Sequence, residues 1–165
     1  MHNITDGLRY AGLIVLLLGF SAEAEAEWFK QSRNIMGTVV QLELWQQNPA
    51  RANLCSERVF SEMRRIDALM SPYKEDSEVS AINQQAGTQA VAISSELNRL
   101  IQRSLYFSQI SQGAFDISFA SIGYLYDYRK QLQPSQQTIE QALGRINYRD
   151  IKLEHQTIRF SQAGM

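Results

Sequence analysis

Residues 1–26 limit what the rest of the chain can fold into, because they have the features of a secretory signal peptide. Residues 10–20 are almost wholly apolar, but this run is only about half of the roughly 20 residues that a membrane-spanning helix needs. Two overlapping Ala-x-Ala patterns within residues 22–26 fit a signal-peptidase site. We therefore expect an exported, periplasmic protein, free or membrane-associated, whose mature form begins near Glu25 or Glu27. A buried helix and an uncleaved N-terminal anchor are the alternatives.

The composition is that of an ordinary globular protein and excludes several functional classes. Of the 165 residues, 44% are apolar and 20% are charged, which argues against disorder. The formal net charge of −1 gives no field that would attract nucleic acid or an anionic membrane. No lipid-attachment cysteine follows the apolar run, so no stable membrane anchor is expected after cleavage. Cys55, the only cysteine, is predicted from its helical position to be a buried, unreactive thiol.

Apolar periodicity predicts one α+β domain over residues 27–165, with a mixed sheet packed with helices. Alternation over residues 39–45 predicts a strand. Asn48-Pro49 then begins a helix of about five turns, which Ser71-Pro72 ends. The apolar stripe of this helix is predicted to consist of Ala52, Cys55, Val59, Met63, Ile66 and Met70.

The later elements are predicted from caps, turns and shorter apolar patterns. They are a helix within Ser77–Ala86 capped by Gly87, a strand over Thr88–Ile93, a helix from Ser94 or Ser95 towards Gly113 with Leu97, Leu100, Ile101 and Leu105 inward, a loop over Phe115–Tyr128, a helix from Pro134 to Gly144, and a hairpin of Asp150–Leu153 and Thr157–Phe160. No element follows the last strand to cover it, so the fold is expected to be incomplete at the C-terminus.

Candidate binding residues concentrate in loops. The sequence has no glycine-rich phosphate-binding loop and no metal-binding His or Cys pattern, and His155 is expected at the surface. If the loop aromatics bind no ligand, Tyr73 is expected to cover the core and Phe115 is expected to belong to it. Rings, a thioether and hydrogen-bonding groups suit a planar aromatic ligand with polar edges. They occur in four segments, Met36–Thr38, Asp67–Tyr73, Asp76–Asn83 and Gly113–Asp116.

These segments resemble the FAD:protein FMN transferases, the ApbE family, historically called thiamine-biosynthesis lipoproteins. The resemblance begins at about Ile35 and extends to the last residue. It rests on Met-Gly-Thr at 36–38, Met-Ser-x-Tyr at 70–73, Ser-Glu-Val-Ser-x-x-Asn at 77–83 and Gly-Ala-Phe-Asp at 113–116. Each segment alone is weak, but four in this order are specific.

The resemblance implies an enzyme that moves FMN from FAD to a Thr or Ser hydroxyl of a target flavoprotein, with magnesium and release of AMP. The implied acceptor belongs to a membrane electron-transfer complex. Carried over position by position, the family pattern implies no catalytic residue and no metal ligand in this chain. It implies that FAD is contacted by Met36, Tyr73, Ala114, Phe115 and Asp116.

Departures from the family pattern limit these expectations. Ile117-Ser118 stands where the family usually has Pro-Thr, so the geometry after the Phe-Asp turn is expected to differ. Asp67 and Ser77–Asn83 are expected to shape the pocket without direct contact. Family members continue into a glycine-rich Lys segment and later metal ligands, so this chain resembles an N-terminal part, inactive alone, with magnesium ligands beyond residue 165. An FAD pyrophosphatase and a non-catalytic exported module that binds flavin or a protein are the alternatives.

Overall fold

The computed structural model describes residues 25–127 and 130–165, which divide into two compact units with a boundary after Ser61. Each unit combines helix with antiparallel sheet, so the predicted α+β class is confirmed, although a mixed sheet was expected. The predicted signal peptide lies outside the described residues, except for its last two. Within the described ranges, no helix is both long and apolar enough to cross a bilayer.

The first unit contains a hairpin of β1 (Glu27–Ile35) and β2 (Thr38–Gln46). The strands pair in register from Trp28 opposite Trp45 to Ile35 opposite Thr38. The two indole rings lie edge to face with centroids 5.3 Å apart, and both are more than half exposed. On the other face Ile35 is buried and the β2 leucines are half-buried. The apolar alternation predicts β2 but not β1.

Helix α1 (Pro49–Met70) begins and ends where the sequence predicts. The Asn48 side chain accepts a 3.1 Å hydrogen bond from the amide of Arg51, which caps the first turn. Within the first unit the buried side chains of α1 recur every four residues. They are Ala52, Ser56 and Phe60.

The prediction that Cys55 is buried is wrong, because its side chain is exposed. The neighbouring Ser56 takes the inward position, about 100° further around the helix axis. Its hydroxyl donates a 2.9 Å hydrogen bond to the carbonyl of Ala52, so a polar group is buried without losing a partner.

The core of the second unit lies between two helices and a three-stranded antiparallel sheet. The helices are α2 (Glu78–Gln85) and α3 (Ser95–Ile110), and the strands are β3 (Val91–Ala92), β4 (Ile151–Glu154) and β5 (Thr157–Phe160), in the order β3-β5-β4. The predicted hairpin of β4 and β5 is confirmed. The buried core side chains are Ile82, Ala86, Val91, Ile93, Leu97, Ile101, Ile151 and Ile158.

Serine caps set where the helices of the second unit begin. The hydroxyls of Ser77 and Ser94 accept from backbone amides three residues later, at the starts of α2 and α3. Ser135 does the same for α5 (Gln136–Leu143), which ends at Gly144 as predicted. The predicted loop after Phe115 is partly helical, with a 3₁₀ turn at Ile117–Phe119 followed by α4 (Ala120–Gly123).

Three finer predictions for the second unit are wrong. Helix α2 ends at Ala86 in right-handed geometry, so Gly87 is not its cap. A Cβ on Gly87 would lie 3.2 Å from the Cα of Ala163, so close backbone approach is what favours glycine there. The predicted strand over Thr88–Ile93 shortens to two residues. Leu100 is half exposed because it lies about 100° around the helix from the buried Ile101.

Candidate functional site

Met36 occupies the two-residue turn between β1 and β2. Its φ is 55° and that of Gly37 is 72°, which matches a type I′ turn, where both central residues have positive φ. This region is disfavoured for a side chain such as methionine, at a cost of roughly 1–2 kcal/mol. The Met36 side chain is 48% exposed. The fold therefore presents the thioether at the tip of the hairpin despite local strain.

Tyr73 lies in the loop between α1 and α2, and its side chain is 95% exposed. The loop beneath it is fixed by backbone bonds, since the amide of Lys74 donates to the carbonyl of Ser71 and the amide of Ser77 donates to that of Lys74. The hydroxyl of Ser80 also donates to the carbonyl of Pro72 at 3.3 Å. The alternative that Tyr73 covers the core is therefore wrong. A well-anchored loop presents this ring to solvent.

Asp67 holds the loop that carries Tyr73, whereas its expected role in shaping the FAD pocket stays a prediction. Its carboxylate forms a 2.6 Å ion pair with Lys74, and its carbonyl accepts from the amide of Ser71. Both partners belong to the loop that carries Tyr73. Asp67 therefore helps to fix the loop next to the Tyr73 ring.

The segment that follows α3 is held in an unusual backbone conformation. Gln112 and Gly113 have φ values of 54° and 88°, and the amide of Gly113 donates to the carbonyl of Ser108 at 2.9 Å. The hydroxyl of Ser111 accepts from the amide of Phe115 at 3.1 Å. The Phe115 ring is 48% exposed, so the alternative that it is a core residue is wrong. Ala114 is exposed as well.

The Asp116 carboxylate is directed to groups within the protein. One oxygen accepts from the amide and the hydroxyl of Ser118, at 2.9 and 2.6 Å. The other accepts from the amide of Tyr148 at 2.8 Å, across 32 residues of sequence. Asp116 is half-buried and caps the 3₁₀ turn that begins at Ile117. The bonds from Ser118 are local, two residues along the chain. The sequence did not mark Tyr148 as a partner of Asp116, because it lies 32 residues away and donates through its backbone amide.

The predicted site residues are not joined by direct interactions in the part of the chain described. No hydrogen bond, ion pair or ring contact links Tyr73 with Ala114–Asp116 among the described residues. Met36 belongs to the other unit. All the predicted contacts except Asp116 are exposed and lack polar bonds from their side chains.

The described residues do not fit a magnesium site. Between residues 25 and 127 and from 130 onward, no three His, Cys, Asp or Glu side chains form a group that can hold a metal ion. A hard divalent cation needs several converging oxygen ligands. The implied position of these ligands beyond residue 165 stays a prediction.

The clearest electrostatic cluster in the second unit joins α1 to α3. The Arg65 guanidinium donates to the carboxylates of Glu62 and Glu96 at 2.8 to 2.9 Å. Hydrogen bonds from Arg65 lower the pKa of both glutamates, and the same bonds raise the pKa of Arg65. All three side chains are about half exposed, so the cluster links surface helices and is not a desolvated active site.

A sequence model of the ApbE family matches residues 36–165, from the hairpin turn with Met36 to the last residue. The chain belongs to the ApbE family. The matched residues include every position at which the resemblance predicted an FAD contact. Family membership therefore agrees with the motif order, while the contacts themselves stay predictions.

Named relatives of this ApbE family member are FAD:protein FMN transferases. The protein from Treponema pallidum (strain Nichols) is 25% identical over 170 residues, covering 95% of this chain and 47% of the relative. The protein from Vibrio cholerae is 24% identical over 123 residues, covering 74% and 37%. The chain thus spans less than half the length of these curated relatives.

Solved ApbE structures share the fold of this ApbE chain. The ApbE protein of Thermotoga maritima has a TM-score of 0.71 at 23% identity, with 84% of this chain and 46% of that chain covered. The flavin transferase ApbE from Vibrio cholerae has a TM-score of 0.72 at 19% identity, with 84% and 47% covered. At these identities the match establishes the fold alone.

Proposed function

We propose that the whole protein is an FAD:protein FMN transferase that moves FMN from FAD to a Thr or Ser hydroxyl of a target flavoprotein. The observation that carries this proposal is the ApbE match over residues 36–165, which includes Met36, Tyr73 and Ala114–Asp116 in family order. The names of the Treponema pallidum and Vibrio cholerae relatives support FMN transfer from FAD to a protein, and the Thr or Ser hydroxyl is the acceptor group that the family resemblance implies.

In the proposed reaction the acceptor hydroxyl forms a phosphoester bond to the FMN phosphorus of FAD. The bond between this phosphorus and the bridging oxygen of the pyrophosphate breaks, AMP leaves with that oxygen and the bonding electrons, and the hydroxyl proton is released. Magnesium, when bound, would neutralise charge on the phosphates. We propose, as the family resemblance implies, that its ligands lie beyond residue 165.

The contribution of this chain to the reaction is substrate binding. Tyr73 and Phe115 offer exposed rings on anchored loops, a combination that suits contact with a planar flavin or adenine. Met36 offers a polarizable thioether, which also contacts aromatic rings favourably. Each segment is proposed to contact FAD, and each can be tested by its own variant.

The proposed location of the enzyme is the periplasm, and the proposed acceptor is a flavoprotein of a membrane electron-transfer complex, as the family resemblance implies. The location is supported by the apolar run over residues 10–20 and the Ala-x-Ala patterns that follow it. N-terminal sequencing of the exported protein is expected to begin near Glu25 or Glu27. A mature chain that begins at Met1 or His2 would contradict export by signal-peptide cleavage.

The test of function uses the whole protein with FAD, magnesium and an acceptor flavoprotein, followed by in-gel flavin fluorescence and measurement of AMP. Acceptor-dependent AMP release with fluorescent acceptor supports the transferase. AMP release without acceptor labelling would replace it with an FAD pyrophosphatase. FAD binding without AMP release would leave a non-catalytic module. Residues 27–165 alone serve as the control and are expected to be inactive.

A further inference from the structure

Tyr148 lies beside the Gly113–Asp116 segment at both of its ends. At one end a Cβ added to Gly113 would lie 3.7 Å from the edge of the Tyr148 ring, so the ring lies beside this glycine. At the other end the Tyr148 amide donates to the Asp116 carboxylate at 2.8 Å. Ala114 and Phe115, both exposed, lie between these two contacts.

The Tyr148 end of this connection is itself held in place. The Asn147 side chain accepts from the amide of Arg149 at 3.2 Å and donates to the Asp150 carboxylate at 2.8 Å. The Arg149 guanidinium lies over the Tyr148 ring, 4.6 Å from its centroid. Tyr148 is therefore a fixed point against which the loop after α3 is positioned.

The Asp116 carboxylate has little capacity left for a ligand. A carboxylate offers about four acceptor positions, and three here are filled by two donors of Ser118 and one of Tyr148. Such bonds to an ionised group are stronger than neutral ones. A ligand that competed for this carboxylate would break the bonds that shape the loop.

We infer that Asp116 is a positioning residue, which holds the loop after α3 against Tyr148. In this arrangement FAD contacts the loop backbone and the Phe115 ring, and it does not contact the Asp116 carboxylate. This inference rests on the proposed function. It refines the predicted FAD contact at Asp116 by separating its main chain from its side chain.

The closing experiment compares Asp116→Asn, Tyr148→Ala and the double variant in the whole protein. An amide at 116 must point its NH₂ group at either the Ser118 or the Tyr148 amide, so one anchor is lost. Tyr148→Ala removes the ring from Gly113 and leaves the carboxylate untouched. Each single variant is expected to raise the FAD dissociation constant roughly tenfold, because Asp116→Asn loses about one charged hydrogen bond and Tyr148→Ala loses the ring beside Gly113. Ser118→Ala, which keeps the backbone bond, is the milder control.

Coupling between the two sites decides between positioning and direct contact. If both residues act through one loop, the double variant binds FAD about as weakly as the single variant with the larger loss. Faster hydrogen exchange at the Tyr148 amide in Asp116→Asn is expected as well. Strictly additive losses, or wild-type affinity in Tyr148→Ala, would overturn the inference. A wild-type protein that does not bind FAD would instead overturn the proposed function.

Discussion

The Ser77 hydroxyl donates a 2.6 Å hydrogen bond to the carbonyl of Ser71, so the two ends of the loop that carries Tyr73 are joined by one side chain. The same oxygen accepts from the amide of Ser80 and caps α2, and Ser77 is only 1% exposed. Ser77→Ala loses both bonds in a buried position. We expect it to lower the free energy of unfolding by about 2–3 kcal/mol.

Ser94→Ala is the matched control for this prediction, because the Ser94 hydroxyl caps α3 by accepting from the amide of Leu97 at 3.2 Å. Its loss is expected to cost about 1 kcal/mol. Urea denaturation of both variants measures the difference. Equal losses would mean that the bond from Ser77 to Ser71 contributes nothing.

Tyr73→Ala is expected to weaken FAD binding in the whole protein by about 1–3 kcal/mol without lowering the melting temperature. The ring is 95% exposed, so its removal leaves no cavity. Tyr124→Ala is the control, since Tyr124 is 76% exposed and is not a predicted contact. FAD titration of both variants tests the assignment. Equal affinity for FAD in wild type and Tyr73→Ala would remove Tyr73 from the binding site.

Met36→Asn is expected to change stability and binding in opposite directions. It creates Asn-Gly, the preferred sequence for a type I′ turn, and asparagine adopts the φ of 55° at this position more readily than methionine does. The free energy of unfolding is expected to rise by about 0.5–1 kcal/mol. Loss of the thioether is expected to weaken FAD binding. A stabilised variant with unchanged FAD affinity would show that Met36 serves only the turn.

The Arg65 cluster predicts a pH-dependent contribution to stability. Its hydrogen bonds lower the pKa of Glu62 and Glu96, so the stabilisation is present above the unfolded value of about 4.3 and is lost as the pH falls through the folded values. The difference in unfolding free energy between wild type and Arg65→Met should be constant above about pH 5 and should shrink below it. High salt should reduce it at neutral pH. A difference that grows on acidification would exclude this origin.

Local signals in the sequence predicted most of the helices. Asn48, Ser77, Ser94 and Ser135 were recognised as starting points, since a capping side chain acts on amides only two or three residues away. The sequence of β1 did not predict a strand, because its inward face carries Gln31 and Arg33, whose partners lie on α1. Gln31 donates to Asn53 at 2.9 Å and Arg33 pairs with Glu57 at 2.9 Å.

The candidate site also has parts that local sequence signals predict and parts that they do not. The segments with Met36, Tyr73 and Phe115 could be found because glycine, proline and aromatic residues mark them locally. The hydrogen bond that holds Asp116 could not be found in this way. Its donor is the backbone amide of Tyr148, which lies 32 residues away and carries no residue-specific signal. The prediction of the inward face of α1 was wrong at Cys55. The neighbouring Ser56 can be buried instead, because its hydroxyl donates a hydrogen bond to the carbonyl of the preceding turn.

The edge-to-face pair of Trp28 and Trp45 gives the chain a local optical probe. The sequence contains only these two tryptophans, and both lie at the open end of the first hairpin. Indole emission therefore reports on β1 and β2, whereas most of the helical residues that the structure describes lie in the second unit. Recording both signals during one denaturation separates the melting of the hairpin from that of the helical core, with no label and no mutation.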